Sequence, residues 1–310
     1  MKRTALWWLA AAGVLLCAAT LAGGAAARKA APTGDAGYSP TGGYPTITGR
    51  SPPAPSGNVR VDDRGIPIVY YEGVGWRRNP GTVAAFGLGW YGYWLTSGDR
   101  HALVMARTEA DWLLRNQQRR AGTWVYAFPF EVASGLRVAS PWTSAYAQGV
   151  AISLLTRVWH ATGNRAYLTS ALAATSPLER SFAHGGLVTT LFGRRFFYLE
   201  YPTRPPTLTV NGLMATLVGL YDLSRAAPRS EARRLFVGGL RTLRFALPLY
   251  DLPDGSQLYD LSNVMAPPRA QNLAGPGYLI VDAAYLRALT SMAPNPVFRF
   301  YADRWSARAA

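Results

Sequence analysis

The chain has one cysteine, two lysines, three histidines and few acids. Cys17 lies within an uncharged apolar run, residues 5–22, with Leu16 before it rather than the small residue a lipoprotein signal requires. The rest of the chain therefore has no thiol nucleophile and no disulfide, and must be held together by packing. His101, His160 and His184 do not pair at metal-ligand spacing, so a zinc hydrolase is not indicated and no metal is expected. There is no Gly-x-Ser-x-Gly elbow and no phosphate-binding loop, so no nucleotide or other cofactor is expected. Lys2 and Lys29 are the only lysines, and the net charge of +15 is almost all arginine. An arginine excess suits nucleic acid, an anionic membrane or an acidic polymer. These arginines are scattered rather than blocked, and no aromatic-basic signature accompanies them, which argues against nucleic acid.

The chain also has an N-terminal apolar segment and a large apolar remainder. Lys2 and Arg3 precede the apolar run, and small residues lead to Ala27. Residues 1–30 therefore read as a signal peptide, or as a membrane anchor if uncleaved, and the protein as exported, either secreted or membrane-anchored. Residues 31–58 are rich in Gly, Pro, Ser and Thr and read as a flexible linker. Residues 59–310 are expected to form one domain. Apolar residues make up 49% of the chain and charged ones only 16%, enough for a sizeable core.

Within that domain the periodicity predicts short strands over 59–71, then helices over 82–96, 100–118, 144–162, 165–174, 211–226, 230–247, 278–291 and 296–307. An aromatic loop over 122–135 and a β-hairpin over 185–201 turning at Gly193 interrupt them. Two helix ends look alike, Trp94-Leu-Thr-Ser-Gly-Asp and Trp159-His-Ala-Thr-Gly-Asn, each a Gly stop followed by a residue that can cap the next helix. Helices in sequential antiparallel pairs predict a mainly α fold, an α/α toroid built as an incomplete barrel of helical hairpins, with short β-hairpins.

Tyrosines and carboxylates remain as carriers of chemistry. They concentrate in residues 199–213 and 249–261. Pro202, Pro205 and Pro206 keep the first segment extended, so that Glu200 and Tyr201 are expected to face opposite sides. Read alone, these segments fit a rigid loop with tyrosine as core filler as well as a site.

Taken in order, Glu200-Tyr-Pro-Thr-x-Pro, Asn211-Gly, Gly219-Leu-Tyr-Asp-Leu, Leu247-Pro-Leu-Tyr-Asp and Leu258-Tyr-Asp-Leu resemble the C-terminal domain of the heparan-type glucuronyl C5-epimerases. Ala110-Asp-Trp-Leu, Ser140-Pro-Trp-Thr-Ser-Ala-Tyr-Ala-Gln-Gly, Asn295-Pro-Val-Phe and Arg304-Trp extend the resemblance over residues 66–305. It implies an enzyme that inverts C5 of a uronic acid within a polysaccharide, by removing a proton from one face and returning one to the other. It also implies Glu200, Tyr201, Tyr259 and Tyr278 as the acid/base residues. Trp142, Gln148, Asn211 and Arg204 are the expected substrate-binding residues, with Arg194 or Arg195 as further partners for the sugar carboxylate. A uronate-containing polysaccharide is the expected partner, and monomer or homodimer is left open.

The chain departs from the family pattern in places. Ser262 stands where the family has Arg, Leu279 where it has His, and Pro276-Gly277 where it has Trp-Asp. These changes bear on the substrate more than on the fold. They leave open a non-catalytic carbohydrate-binding envelope protein, and a lyase or hydrolase on the same toroid.

Overall fold

The computed structural model describes residues 37–309. The expected signal peptide or anchor, residues 1–30, lies outside these residues. Among the described residues no helix is long and apolar enough to cross a membrane.

Four helical hairpins follow one another along the chain. They are α1 (Pro80–Ser97) with α2 (Arg100–Asn116), α3 (Ala145–Thr162) with α4 (Arg165–Ala173), α5 (Val210–Ala226) with α6 (Ala232–Tyr250), and, after a single turn α7 (Ser262–Met265), α8 (Pro276–Met292) with α9 (Pro296–Ala309). The first member of each pair lies inside, with α1 against α3, α3 against α5 and α5 against α8, and each second member packs outside its partner. This is the expected α/α toroid.

The sequence decides which helices go inside. In α3 and α5 the buried residues run almost all round the helix, whereas α2 buries only a stripe including Ala102, Ala106, Ala110 and Leu113. Two glycines let α3 and α5 touch by their backbones. A Cβ on Gly149 would lie 2.5 Å from Ala215 O, and one on Gly219 would lie 2.2 Å from Gly149 O. The repeated helix ends behave as their sequence indicates. Gly98 and Gly163 stop α1 and α3 in the left-handed conformation, and Asp99 and Asn164 cap α2 and α4. Most helix ends fall within two residues of expectation, and the end of α6 departs further. Helix α6 continues through Pro248 to Tyr250, where the Tyr250 hydroxyl donates to Leu208 O at 2.5 Å and holds the extra turn in place.

The strands are short and antiparallel. A meander of β1 (Val59–Val61), β2 (Pro67–Tyr71) and β3 (Gly75–Arg77) precedes α1, and the aromatic loop contains a hairpin of β4 (Phe130–Glu131) and β5 (Arg137–Val138). The predicted β-hairpin over 185–201 is present as β6 (Val188–Leu191) and β7 (Arg195–Tyr198), with Gly193 at φ 70° in its turn.

The expected linker 31–58 needs correction from Gly37 on. This segment is packed across the open seam of the toroid between α8 and α1. On the α8 side, Tyr38 N donates to Ser291 Oγ at 2.9 Å, and the Tyr44 and Tyr285 hydroxyls lie 3.2 Å apart. On the α1 side, the Tyr91 hydroxyl donates to Thr41 O at 3.0 Å and Thr96 Oγ1 to Gly49 O at 2.6 Å. The Tyr38 hydroxyl also reaches a fully buried ion pair, Arg157 with Asp222 at 2.6 Å, donating to Asp222 at 2.7 Å and accepting from Arg157 at 2.7 Å. Asp222 of the Gly-Leu-Tyr-Asp-Leu motif is thus structural. Composition misses this strap because it has few large residues, yet Tyr38 and Tyr44 pack edge-on against Tyr221 and Tyr285 and Ile47 packs on the core.

Candidate functional site

The first turns of the inner helices line one end of the toroid. Gly81 of α1 lies against the Tyr146 ring of α3, Gly212 of α5 against the Glu200 carboxyl, and Tyr278 stands in the first turn of α8. Each helix N-terminus carries about half a positive charge from its unpaired N–H groups. Their convergence makes this end attractive to an anion.

Three of the four expected acid/base residues meet directly in this space, and Glu200 joins them. The Tyr201 and Tyr259 hydroxyls are 3.5 Å apart, and the Tyr259 and Tyr278 rings meet edge to face with centroids 4.8 Å apart. Glu200 lies on the Gly212 side, where a Cβ on that glycine would come within 2.5 Å of its Oε2. The expectation that Glu200 and Tyr201 face apart needs correction. The chain bends after Glu200, Thr203 N donates to Tyr201 O at 2.9 Å, and each of the two side chains affects the other's ionisation.

Burial sets the proton affinities. It pushes the Glu200 carboxyl up to about 7, against the opposing pull of Thr209 and Tyr201. Burial, with the charge of Glu200, also raises Tyr201, Tyr259 and Tyr278 above the ordinary phenol range. At neutral pH the site therefore holds a carboxyl near its midpoint beside neutral phenols, which is the pairing general acid–base chemistry requires.

Secondary contacts hold the tyrosines in position. Tyr259 N donates to Asn272 O at 2.7 Å, and Asp260 accepts from Ser262 N at 2.8 Å and from Asn272 Nδ2 at 2.7 Å. Tyr201 stacks on Phe130 at 5.6 Å, and Trp142 lies beside both rings while its Nε1 donates to Phe128 O at 2.9 Å. Trp142 thus belongs to the aromatic wall of the site. Asn211, buried in the first turn of α5, lines a cavity of about 20 Å³ on the toroid axis with Tyr146 and Tyr285.

Buried polar atoms without a partner cluster here. They include Glu200 Oε2, Thr207 Oγ1, Asn211 Oδ1, Gln257 Oε1, Ser262 Oγ, Asn272 Oδ1 and Asp282 Oδ1. Native folds satisfy nearly all such groups, so this concentration marks a place built to bind something polar.

Several expected residues lie elsewhere. Gln148 donates to Gly122 O at 2.8 Å and to Ala174 O at 2.9 Å, tying α3 to neighbouring loops, and is fully buried. Arg204 is exposed and lies over the Phe182 ring at 4.7 Å. Arg195 lies over Phe245 at 4.4 Å on the β6–β7 hairpin.

The sequence reading missed two residues at the site. Asp282, one turn beyond Tyr278, accepts from Gln257 and is pushed up by burial to about 8, with Glu200 adding to the rise. Its signal was available, an acid four residues after a site tyrosine on a helix. Arg269 donates to Ser134 O at 3.1 Å, and its charge partly offsets the burial that raises the Asp260 carboxyl. It becomes visible only when its loop meets the β4–β5 turn. Among the described residues no cluster of His, Cys, Asp or Glu could hold a metal ion.

Residues 117–307 match the family model described as D-glucuronyl C5-epimerase C-terminus. The chain is 37% identical over 218 residues to the D-glucuronyl C5-epimerase of Caenorhabditis elegans, a match covering 66% of this chain and 34% of that protein. It therefore spans about a third of that relative's length. An uncharacterized protein of Methanocaldococcus jannaschii is 25% identical over 136 residues, 43% of each chain. Among solved structures, the Lin0763 protein from Listeria innocua superimposes with a TM-score of 0.54 at 12% identity, over 75% of this chain and 58% of that one, a likeness of fold alone.

Proposed function

The chain belongs to the D-glucuronyl C5-epimerase C-terminal family, and on that premise we propose that it is an exported enzyme that inverts C5 of uronic acid residues within an anionic polysaccharide. The observation that carries this reading is the meeting of a near-neutral carboxyl, Glu200, with the phenols of Tyr201, Tyr259 and Tyr278 at the anion-attracting end of the toroid. Export rests on the charged and apolar pattern of residues 1–30.

Glu200 as carboxylate takes the C5 proton from one face of the sugar. The C5–H electron pair moves into the adjoining carboxylate, forming an enediolate with two negative charges. The N-terminal ends of the inner helices offset that charge, and Arg269 is the nearby cation that would meet the sugar carboxylate in place of the arginine absent at Ser262. Tyr259 or Tyr278 gives its phenolic proton to the opposite face of C5, leaving a tyrosinate. The proton on Glu200 then passes through Tyr201 to the tyrosinate, and these acidic protons exchange with water between turnovers, which resets the site and brings solvent hydrogen to C5. The 3.5 Å gap between the Tyr201 and Tyr259 hydroxyls is long for a hydrogen bond, and the transfer requires it to close when the sugar binds.

A lyase would start with the same proton abstraction but then expel the C4 oxygen. Product analysis separates the two: an epimerase changes glucuronate to iduronate at constant chain length, whereas a lyase shortens the chain and leaves an unsaturated sugar absorbing in the near ultraviolet. Appearance of the unsaturated sugar would overturn the epimerase reading.

A further inference from the structure

We propose that the groove between α6 and the α8–α9 turn is a second binding site for the anionic polysaccharide, separate from the candidate catalytic site. The inference rests on the reading that this protein acts on a uronate polymer. The groove encloses about 520 Å³ and is lined by Arg195, Arg241, Arg244, Phe245 and Phe298 among others. At Pro294 and Asn295 it runs into a shallower depression of about 500 Å³ that carries Arg299 and Phe300. The result is an elongated trough rather than a closed pocket.

Its chemistry is one-sided. Arg241, Arg244 and Arg299 form no ion pair among the described residues. The one carboxylate in the trough, Asp303, lies in its outer part and faces Arg287 at 3.7 Å. Phe245 and Phe300 stand 44% and 57% exposed, far more than a core ring would be. Arg195 lies over the Phe245 ring at 4.4 Å, which holds its guanidinium at the edge of the groove. Guanidinium forks bind carboxylate or sulfate in two-point fashion, and a flat aromatic ring suits the C–H face of a sugar. A chain of anionic sugars offers both features repeatedly, and its shape fits a trough, whereas a bilayer surface is flat and cannot enter one.

The position fits an anchoring role. Tyr278 stands in the first turn of α8 and the groove opens where α8 ends, so the two sites are about 20 Å apart at 1.5 Å per residue. A long chain held here raises its own local concentration at the catalytic end, while a short oligosaccharide gains nothing.

The test uses the full-length protein, long heparosan chains and a heparosan hexasaccharide. Arg241 and Arg244 are exposed, so the double variant Arg241→Ser/Arg244→Ser is expected to fold, and Phe245→Ala probes the ring independently. The expected result is about a tenfold loss of affinity for long chains in the double variant, lost equally in wild type at high salt. Turnover of the hexasaccharide stays unchanged, and Glu200→Gln keeps full affinity for long chains. Equal binding of long chains by wild type and the double variant overturns the proposal. So does failure of any uronate polymer to bind, or groove-dependent binding of phosphatidylglycerol vesicles without binding of glycans. Groove-dependent binding without any C5 exchange would leave the groove standing and remove the catalytic reading instead.

Discussion

Tyr259 and Tyr278 meet edge to face with ring centroids 4.8 Å apart, although one follows α6 in a loop and the other stands in the first turn of α8. Their hydroxyls carry the proposed chemistry while their rings carry the packing. Tyr259→Phe and Tyr278→Phe should each lower C5 exchange by about 10²-fold or more. Melting temperatures should stay close to wild type, because ring contacts survive and only a hydroxyl is lost. Exchange rates and thermal melts on the same samples check this, and full activity in both variants would remove the tyrosines from the mechanism.

The pH dependence of turnover follows from Glu200. Its carboxyl is raised to about 7 by burial, and only the ionised form can take a proton. Activity as kcat/KM should therefore rise with pH through about 7 and level off above it, since the site phenols remain protonated there. A profile already flat from pH 5 would show that Glu200 is not the base.

Stability should move the other way. Burial raises Glu109 to about 9, Asp282 to about 8 and Glu200 to about 7, above an unfolded carboxyl near 4.3. Between these limits the folded chain binds more protons than the unfolded chain, so stability is fully present below about pH 4 and falls as pH rises. Each group contributes a slope of up to about 1.4 kcal/mol per pH unit. Glu109 lies outside the site, and neither of its oxygens has a partner. Glu109→Gln should therefore flatten the upper part of the curve and be more stable than wild type near pH 8.5 by urea denaturation. An unchanged slope would contradict this.

Much of this architecture was legible in the sequence, and the reasons differ by element. Gly98-Asp99 and Gly163-Asn164 carry helix punctuation that any reader of local chemistry finds, and they fixed the hairpin pattern. Glu200, Tyr201, Tyr259 and Tyr278 were legible only through the resemblance of their motifs to the C5-epimerases, since read alone the same segments fit a rigid loop. Gln148 was not separable from a site residue, because a buried amide bonding to loop carbonyls and one facing a ligand look the same in sequence. Arg204 sits in the right motif but leaves it sideways onto Phe182, a matter of side-chain direction. Arg269 bonds to Ser134 O of the β4–β5 turn, a contact between segments far apart in the chain that local spacing cannot express.

The strap over the seam gives a stability test. Tyr38 links to the Arg157–Asp222 pair at the core. Asp222→Asn leaves the Arg157 charge buried without its partner and should cost about 3–5 kcal/mol. Tyr38→Phe removes one hydroxyl from the network and should cost about 1–2 kcal/mol. Denaturant unfolding measures both. No loss in either variant would mean that residues 37–53 lie loosely on the toroid.

The most direct test of the central claim is hydrogen exchange at C5. Heparosan and other glucuronate polymers are incubated with the protein in heavy water and examined by proton NMR. The account expects deuterium at C5, iduronate signals and unchanged chain length, with Glu200→Gln slowed by about 10² to 10⁴. Absence of deuterium at C5 in every uronate polymer tried, with the protein folded and the polymers bound, would contradict it.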